Sequence, residues 1–111
     1  MSALVATVPT RAGVATPGAN VAATDTIAAA LLGSRGCLLE ILNGNAATDT
    51  MSISDASVTP SGATAAPLAP TLATATNKVF KIRPEQADSA GVVTITHSVQ
   101  TTVTYKLYPL G

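Results

Sequence analysis

Apolar and polar residues alternate most regularly in the last third of the chain. In Gly91–Thr96 the apolar positions are Val93 and Ile95, and in Thr101–Leu107 they are Val103, Tyr105 and Leu107. Lys78–Ile82 is a third segment of strand length. Thr and Lys fill the alternate places, so each segment predicts a strand that buries one face and hydrates the other. Turn residues separate the three, and together they predict the closing meander of a small all-β domain. Further upstream, Cys37–Leu42 is apolar on nearly both faces with Glu40 as the exception, which predicts a central strand. Asn43-Gly44-Asn45 predicts a tight reversal into a return strand over Thr50–Ser54, with Met51 and Ile53 facing inward.

The N-terminal part is less regular. Leu4, Ala6 and Val8 alternate within Ala3–Val8, which reads as a first strand or an extended arm, and Pro9 ends it. Arg11–Asn20 carries Gly13, Pro17 and Gly18 and reads as loop. For Val21–Leu32 two patterns compete. One is a strand over Asn20–Thr24 followed by a loop to Gly33; the other is a short helix over Ile27–Leu32 capped by Thr24-Asp25-Thr26. The strand and loop are preferred, since no neighbour has a helical period for a lone helix to pack on. Ser57–Asn77, rich in Ser, Thr and Ala with Pro60, Pro67 and Pro70, predicts an extended segment along a surface, any strand in it being confined to an edge. The expected fold is therefore all-β: a small antiparallel sandwich of jelly-roll or immunoglobulin-like type with about six to eight strands. Residues 1–20 form an extended arm with a first strand or loop, and 21–111 form the single sandwich domain.

Composition changes this picture in three ways. The 111 residues leave room for one core. Ala and Thr make up roughly a third of the chain and aromatics only 3%, which predicts a thin aliphatic core. Charged residues are 11% of the chain, with six positive and six negative side chains. No basic stripe is present to neutralise phosphates, so a nucleic-acid partner is not expected. So few charges beside 47% hydrophobic residues predict that part of the surface is covered by a protein partner. Met1–Val8 lacks the basic and apolar regions of a signal peptide, and no apolar stretch approaches the ~20 residues of a membrane span. A soluble product of the cytoplasm is expected, without membrane contact.

Candidate chemistry is sparse. Cys37, the single cysteine, lies in a buried-strand pattern and reads as a small core hydrophobe. His97, the single histidine, reads as a solvated turn residue beside Ser98, and a Cys37–His97 catalytic partnership is a remote alternative. Glu85 and Asp88 share a loop and read as solvated acids rather than a cation site. Gly33 and Gly36 flank Arg35 without the lysine and helix of a phosphate cradle. Lys78, Lys81 and Arg83 form a small basic cluster, either a solvated strand face or a docking contact for an acidic partner. Catalytic, metal and cofactor sites are not expected.

With the strands in place, several segments fall into a recognisable order. Val-Pro-Thr-Arg-Ala-Gly (Val8–Gly13) leads to Gly-Cys-Leu-Leu-Glu-Ile-Leu-Asn-Gly (Gly36–Gly44) and then to a Pro/Ala/Thr connection. Val-Phe-Lys-Ile-Arg-Pro (Val79–Pro84), Gly-Val-Val-Thr-Ile-Thr (Gly91–Thr96) and Val-Thr-Tyr-Lys-Leu (Val103–Leu107) follow. In texture and strand order the chain resembles the small β-sandwich head decoration, or minor capsid, proteins of tailed bacteriophages, of the actinobacteriophage type. The resemblance implies a non-enzymatic cement protein, made in the host cytoplasm and bound to the capsid surface of the virion. Its implied partners are the major capsid protein and further copies of itself, a trimer being a common state of such proteins. Docking is expected in Ser2–Arg11 and Ser57–Asn77, through Leu4, Val5, Val8, Arg11, Leu68 and Leu72. Other virion parts (head completion, neck, tail or fibre-associated) and, less well matched, a carbohydrate or adhesion module are the competing readings.

Overall fold

The computed structural model describes residues 2–7, 11–13, 19–58, 60–63 and 66–110. Nine strands run through them: β1 (Ser2–Ala3), β2 (Ala19–Asn20), β3 (Thr24–Ala28), β4 (Cys37–Asn43), β5 (Asp49–Ile53), β6 (Thr71–Leu72), β7 (Thr76–Ile82), β8 (Val92–His97) and β9 (Val103–Pro109). They form a five-stranded sheet in the order β1-β3-β8-β5-β6 and a four-stranded sheet in the order β2-β9-β4-β7. All pairings are antiparallel except the two-residue β1–β3 pair. From β2 onward the chain changes sheet at every connection but β5 to β6. That order is a double Greek key, the jelly-roll form of the β-sandwich.

This topology corrects two expectations. The residues after β4 do not return it as a hairpin: β4 lies in the four-stranded sheet and β5 in the other. Nor do β7, β8 and β9 form a meander, because β8 belongs to the five-stranded sheet and its two sequence neighbours to the opposite one. Alternation fixes which side chains face inward, and a hairpin and a crossing between sheets demand the same alternation. Asn43 serves the crossing. Its buried amide donates to the carbonyls of Ala47 (2.9 Å) and Leu72 (3.0 Å), and its Oδ1 accepts from the Asn45 N–H, so it braces a corner.

The core is aliphatic and lies between the sheets. β4 contributes Cys37, Leu39 and Ile41, β8 contributes Val93 and Ile95, and β9 contributes Val103, Tyr105 and Leu107. Across Val21–Leu32 the strand falls later than expected, at Thr24–Ala28, and buries Ile27. A single helical turn, Ala29–Leu32, follows it and buries Leu32. Ala and Leu favour such a turn, and Gly33 at φ 55° ends it. Gly36 (φ 79°) must remain glycine, because a Cβ there would run into the carbonyl of Ile82 at the end of β7.

The Pro-rich connection lies along the free edge of β5, as expected. Leu68 exchanges backbone hydrogen bonds with Ile53 (3.0 and 2.8 Å), and the Pro70 carbonyl accepts from Met51 N–H (2.9 Å). Pro67 and Pro70 cost the ladder nothing there, since an edge asks for an N–H only at alternate residues. The segment 2–7 is folded against its own sandwich rather than extended away from it. Leu4 is 5% exposed and donates to Thr26, while Thr7 exchanges hydrogen bonds with Leu107 (N–H to carbonyl 2.6 Å; Leu107 N–H to Oγ1 3.1 Å). It thereby ties the β3 edge of one sheet to the β9 edge of the other.

Candidate contact surface

Strand alternation gives the sandwich two unlike outer faces. Outward positions of the five-stranded sheet carry hydroxyls: Thr24 lies opposite Thr96, Thr26 opposite Thr94, Thr96 opposite Ser52, and Thr50 opposite Thr71. Thr suits such a strand face, and its hydroxyls hydrate it. On the four-stranded sheet the outward register sets Leu38 between Tyr108 and Lys81, Glu40 between Lys106 and Val79, and Leu42 between Thr104 and Asn77. Val79 is 56% exposed there, with Leu38, Leu42 and Tyr108 half-buried beside it. Toward β7 this face is open and apolar, whereas Thr104 and Lys106 on β9 are each only 5% exposed; exposed apolar side chains mark a contact surface, and a hydroxyl lattice a hydrated one.

The residues expected to dock divide three ways. Val5 (65% exposed) and Leu68 (54% exposed) present apolar side chains to solvent, and Arg11 is exposed in a turn. Leu4 and Leu72 do not: they are 5% and 0% exposed and belong to the core. Both sit in segments that close the sandwich, where the inward member of an alternating pair is claimed by the chain's own sheets. Val8 lies outside the described residues. Sequence reasoning missed Val58 (66% exposed) and Val79 as exposed hydrophobes. Val79 was legible from its alternation with Lys81, which sets both on the outward side of β7.

His97 corrects the expectation of a solvated turn residue. It ends β8 on the inward side, 6% exposed, with Nδ1 2.7 Å from Oδ2 of the fully buried Asp49. Oδ1 of Asp49 accepts from the N–H groups of Ser98 (3.0 Å) and Val99 (3.3 Å). The pair is a buried strut between β5 and the turn after β8.

Cys37 is fully buried, and burial pushes its thiol up to about 11, which keeps it neutral and unreactive near pH 7. Asp88 caps its own turn, accepting from Ala90 (2.9 Å) and Val92 (3.3 Å). The described residues contain no group of three metal-ligating side chains, and no helix long and apolar enough to cross a membrane.

Of the basic cluster, Lys78 donates to the Thr71 carbonyl (3.0 Å), Arg83 lies 3.7 Å from Asp55, and Lys81 stands exposed on the outward side of β7. Asp55 is held below the usual carboxylate range, first by the Ser57 hydroxyl (2.6 Å), then by the Ser57 N–H and by Arg83, against the opposing effect of burial. Beside this cluster, between Leu68 and Ile82, opens a cleft of about 290 Å³. Comparison of the chain with protein families, with curated proteins and with solved structures finds no match.

Proposed function

We propose that this chain is a virion structural protein: a decoration, or cement, protein that binds the outer surface of a bacteriophage head and stabilises the shell by non-covalent contacts. The observation that carries the reading is the double Greek-key order of the strands, an architecture that viral capsid domains use. The same architecture serves lectins, so fold alone does not decide between them. The aromatics favour the capsid reading: Tyr105 is buried and Phe80 and Tyr108 are half-buried, a poor platform for a sugar to stack on.

In this reading the partner is the major capsid protein, and the work is done by contact area repeated over many copies, without catalysis or cofactor. The apolar outward face of the four-stranded sheet, together with Val5, Val58 and Leu68, supplies that area. A second copy of the chain completes a homo-oligomer around a local symmetry axis.

The test is the copy number of this chain in purified virions relative to the major shell protein, measured by quantitative mass spectrometry. A ratio near that of the shell protein is expected. A few copies per hundred shell subunits would move the chain to the neck, tail or fibre, and its absence from virions would overturn the viral structural reading.

A further inference from the structure

The sandwich has four sheet edges, and they are unequal. Three end in two-residue strands, β1, β2 and β6. The fourth is β7, seven residues long and, among the described residues, hydrogen-bonded as a strand to β4 alone. A long edge offers a row of backbone donors and acceptors to any extended chain, and proteins ordinarily shorten or cover such edges. Here the other three are shortened and this one is not. Thr76, Asn77, Lys78, Val79 and Lys81 are all exposed along it.

We infer that β7 is a strand-addition site, and that its occupant is an extended, acidic segment of the shell protein. The inference rests on the shell-docking reading and gives that partner a chemistry. Two observations choose the occupant. From Thr76 to Arg83 the chain carries no acid. Lys78 is turned to the Thr71 carbonyl and Arg83 has Asp55 at 3.7 Å. Lys81 and Arg83 nonetheless fall on the outward parity of the edge, so an added strand with Glu or Asp at alternate positions meets opposite charge at its Ile82 end. A second β7 would instead bring three more cations to the same edge. At the Ile82 end the strand runs into the 290 Å³ cleft, whose lining joins the apolar Ile53, Leu68 and Ile82 with Lys81, Arg83 and Asp55. The cleft takes one apolar side chain of the added strand, while the main-chain ladder supplies the rest of the contact.

The test uses the full chain, isotope-labelled, at low salt. Its probes are a short capped peptide of alternating Glu and Val and a matched peptide of alternating Lys and Val. The Glu peptide should shift the amide resonances of Asn77–Ile82, slow their hydrogen exchange and weaken as salt is added, while the Lys peptide should do none of these. Lys81→Glu should raise the Kd for the Glu peptide about tenfold or more. Several results would overturn the inference: no response at millimolar peptide, an equal response to both peptides, or shifts centred away from β7. Protection of β7 that grows with protein concentration alone would overturn it too, since it would make a second copy the occupant. These readouts are separate from the virion copy number. A chain present at shell stoichiometry whose β7 ignores the Glu peptide keeps the shell reading and loses this one.

Discussion

Asp49 and His97 are the clearest case of residue chemistry dictated by strand position. Val93, Ile95 and His97 are alternate residues of one strand, so a histidine at the third place points into the core with the other two. The periodicity therefore contained the burial of His97, although a lone polar residue beside a turn suggests solvent. Its partner was not legible, because Asp49 is 48 residues away and only the crossing of β4 into the second sheet sets β5 beside β8. Asp49→Ala strips acceptors from the imidazole and from two backbone N–H groups at once, and should destabilise the fold by about 3 kcal/mol or more in urea titration. Asp49→Asn should recover part of that loss, since an amide oxygen still accepts from Ser98 and Val99. Equal stability of all three proteins would show that the node carries no weight. Asp55 gives a pH signature of definite sign. Its folded carboxyl titrates below its unfolded value, so its contribution to stability is present above about pH 4 and is lost as pH falls through the folded value. Asp55→Asn should flatten that part of the acid limb of a stability–pH curve. Ser57→Ala, which removes the largest cause of the shift, should flatten it nearly as well.

At the scale of elements, the sequence marked strands well and their partners poorly. β4, β7, β8 and β9 begin and end within two residues of where apolar alternation places them. The Pro-bearing segment follows a sheet edge because proline permits it nowhere else in a ladder. Two of the three misplaced connections share one cause: Asn43-Gly44-Asn45 and His97–Gln100 have turn residues that serve a corner between sheets as readily as a hairpin. The N-terminal segment has another. Alternating Leu4, Ala6 and Val8 suits an arm that docks on a partner equally well as one that docks at home, and at Leu4 and Thr7 the home sheets supply the hydrogen bonds. Removal of residues 1–7 therefore acts on the fold itself. It uncovers the β3 edge, empties the Leu4 site and frees the Leu107 backbone, and should cost about 2–4 kcal/mol by thermal or urea unfolding. A truncated protein of unchanged stability that no longer attached to shells would restore the free-arm reading.

Across the whole molecule, the decisive contrast is between the two outer faces, one a lattice of Thr and Ser and the other carrying Leu38, Leu42, Val79 and Tyr108. Both are products of the same alternation, so the inward halves of the strands explain the fold and the outward halves are left to report on surroundings. Thr on an outward strand face is explained by water alone. An exposed Val beside half-buried Leu and Tyr is not, because uncovered apolar area gains free energy only when something is laid over it. A charge therefore separates the two faces cleanly. Val79→Asp and Thr50→Asp each place a carboxylate on an exposed outward position, one per face; Thr50→Asp should fold within about 0.5 kcal/mol of the parent, and Val79→Asp, whose carboxylate lies opposite Glu40, within about 1 kcal/mol. On the proposed shell-binding role, the Thr50→Asp protein added to shells that lack this chain should be retained like the parent. The Val79→Asp protein should wash off, with affinity reduced about tenfold or more for a charge buried in an apolar contact. The reverse ranking would turn the molecule over and place the hydroxyl face against the shell.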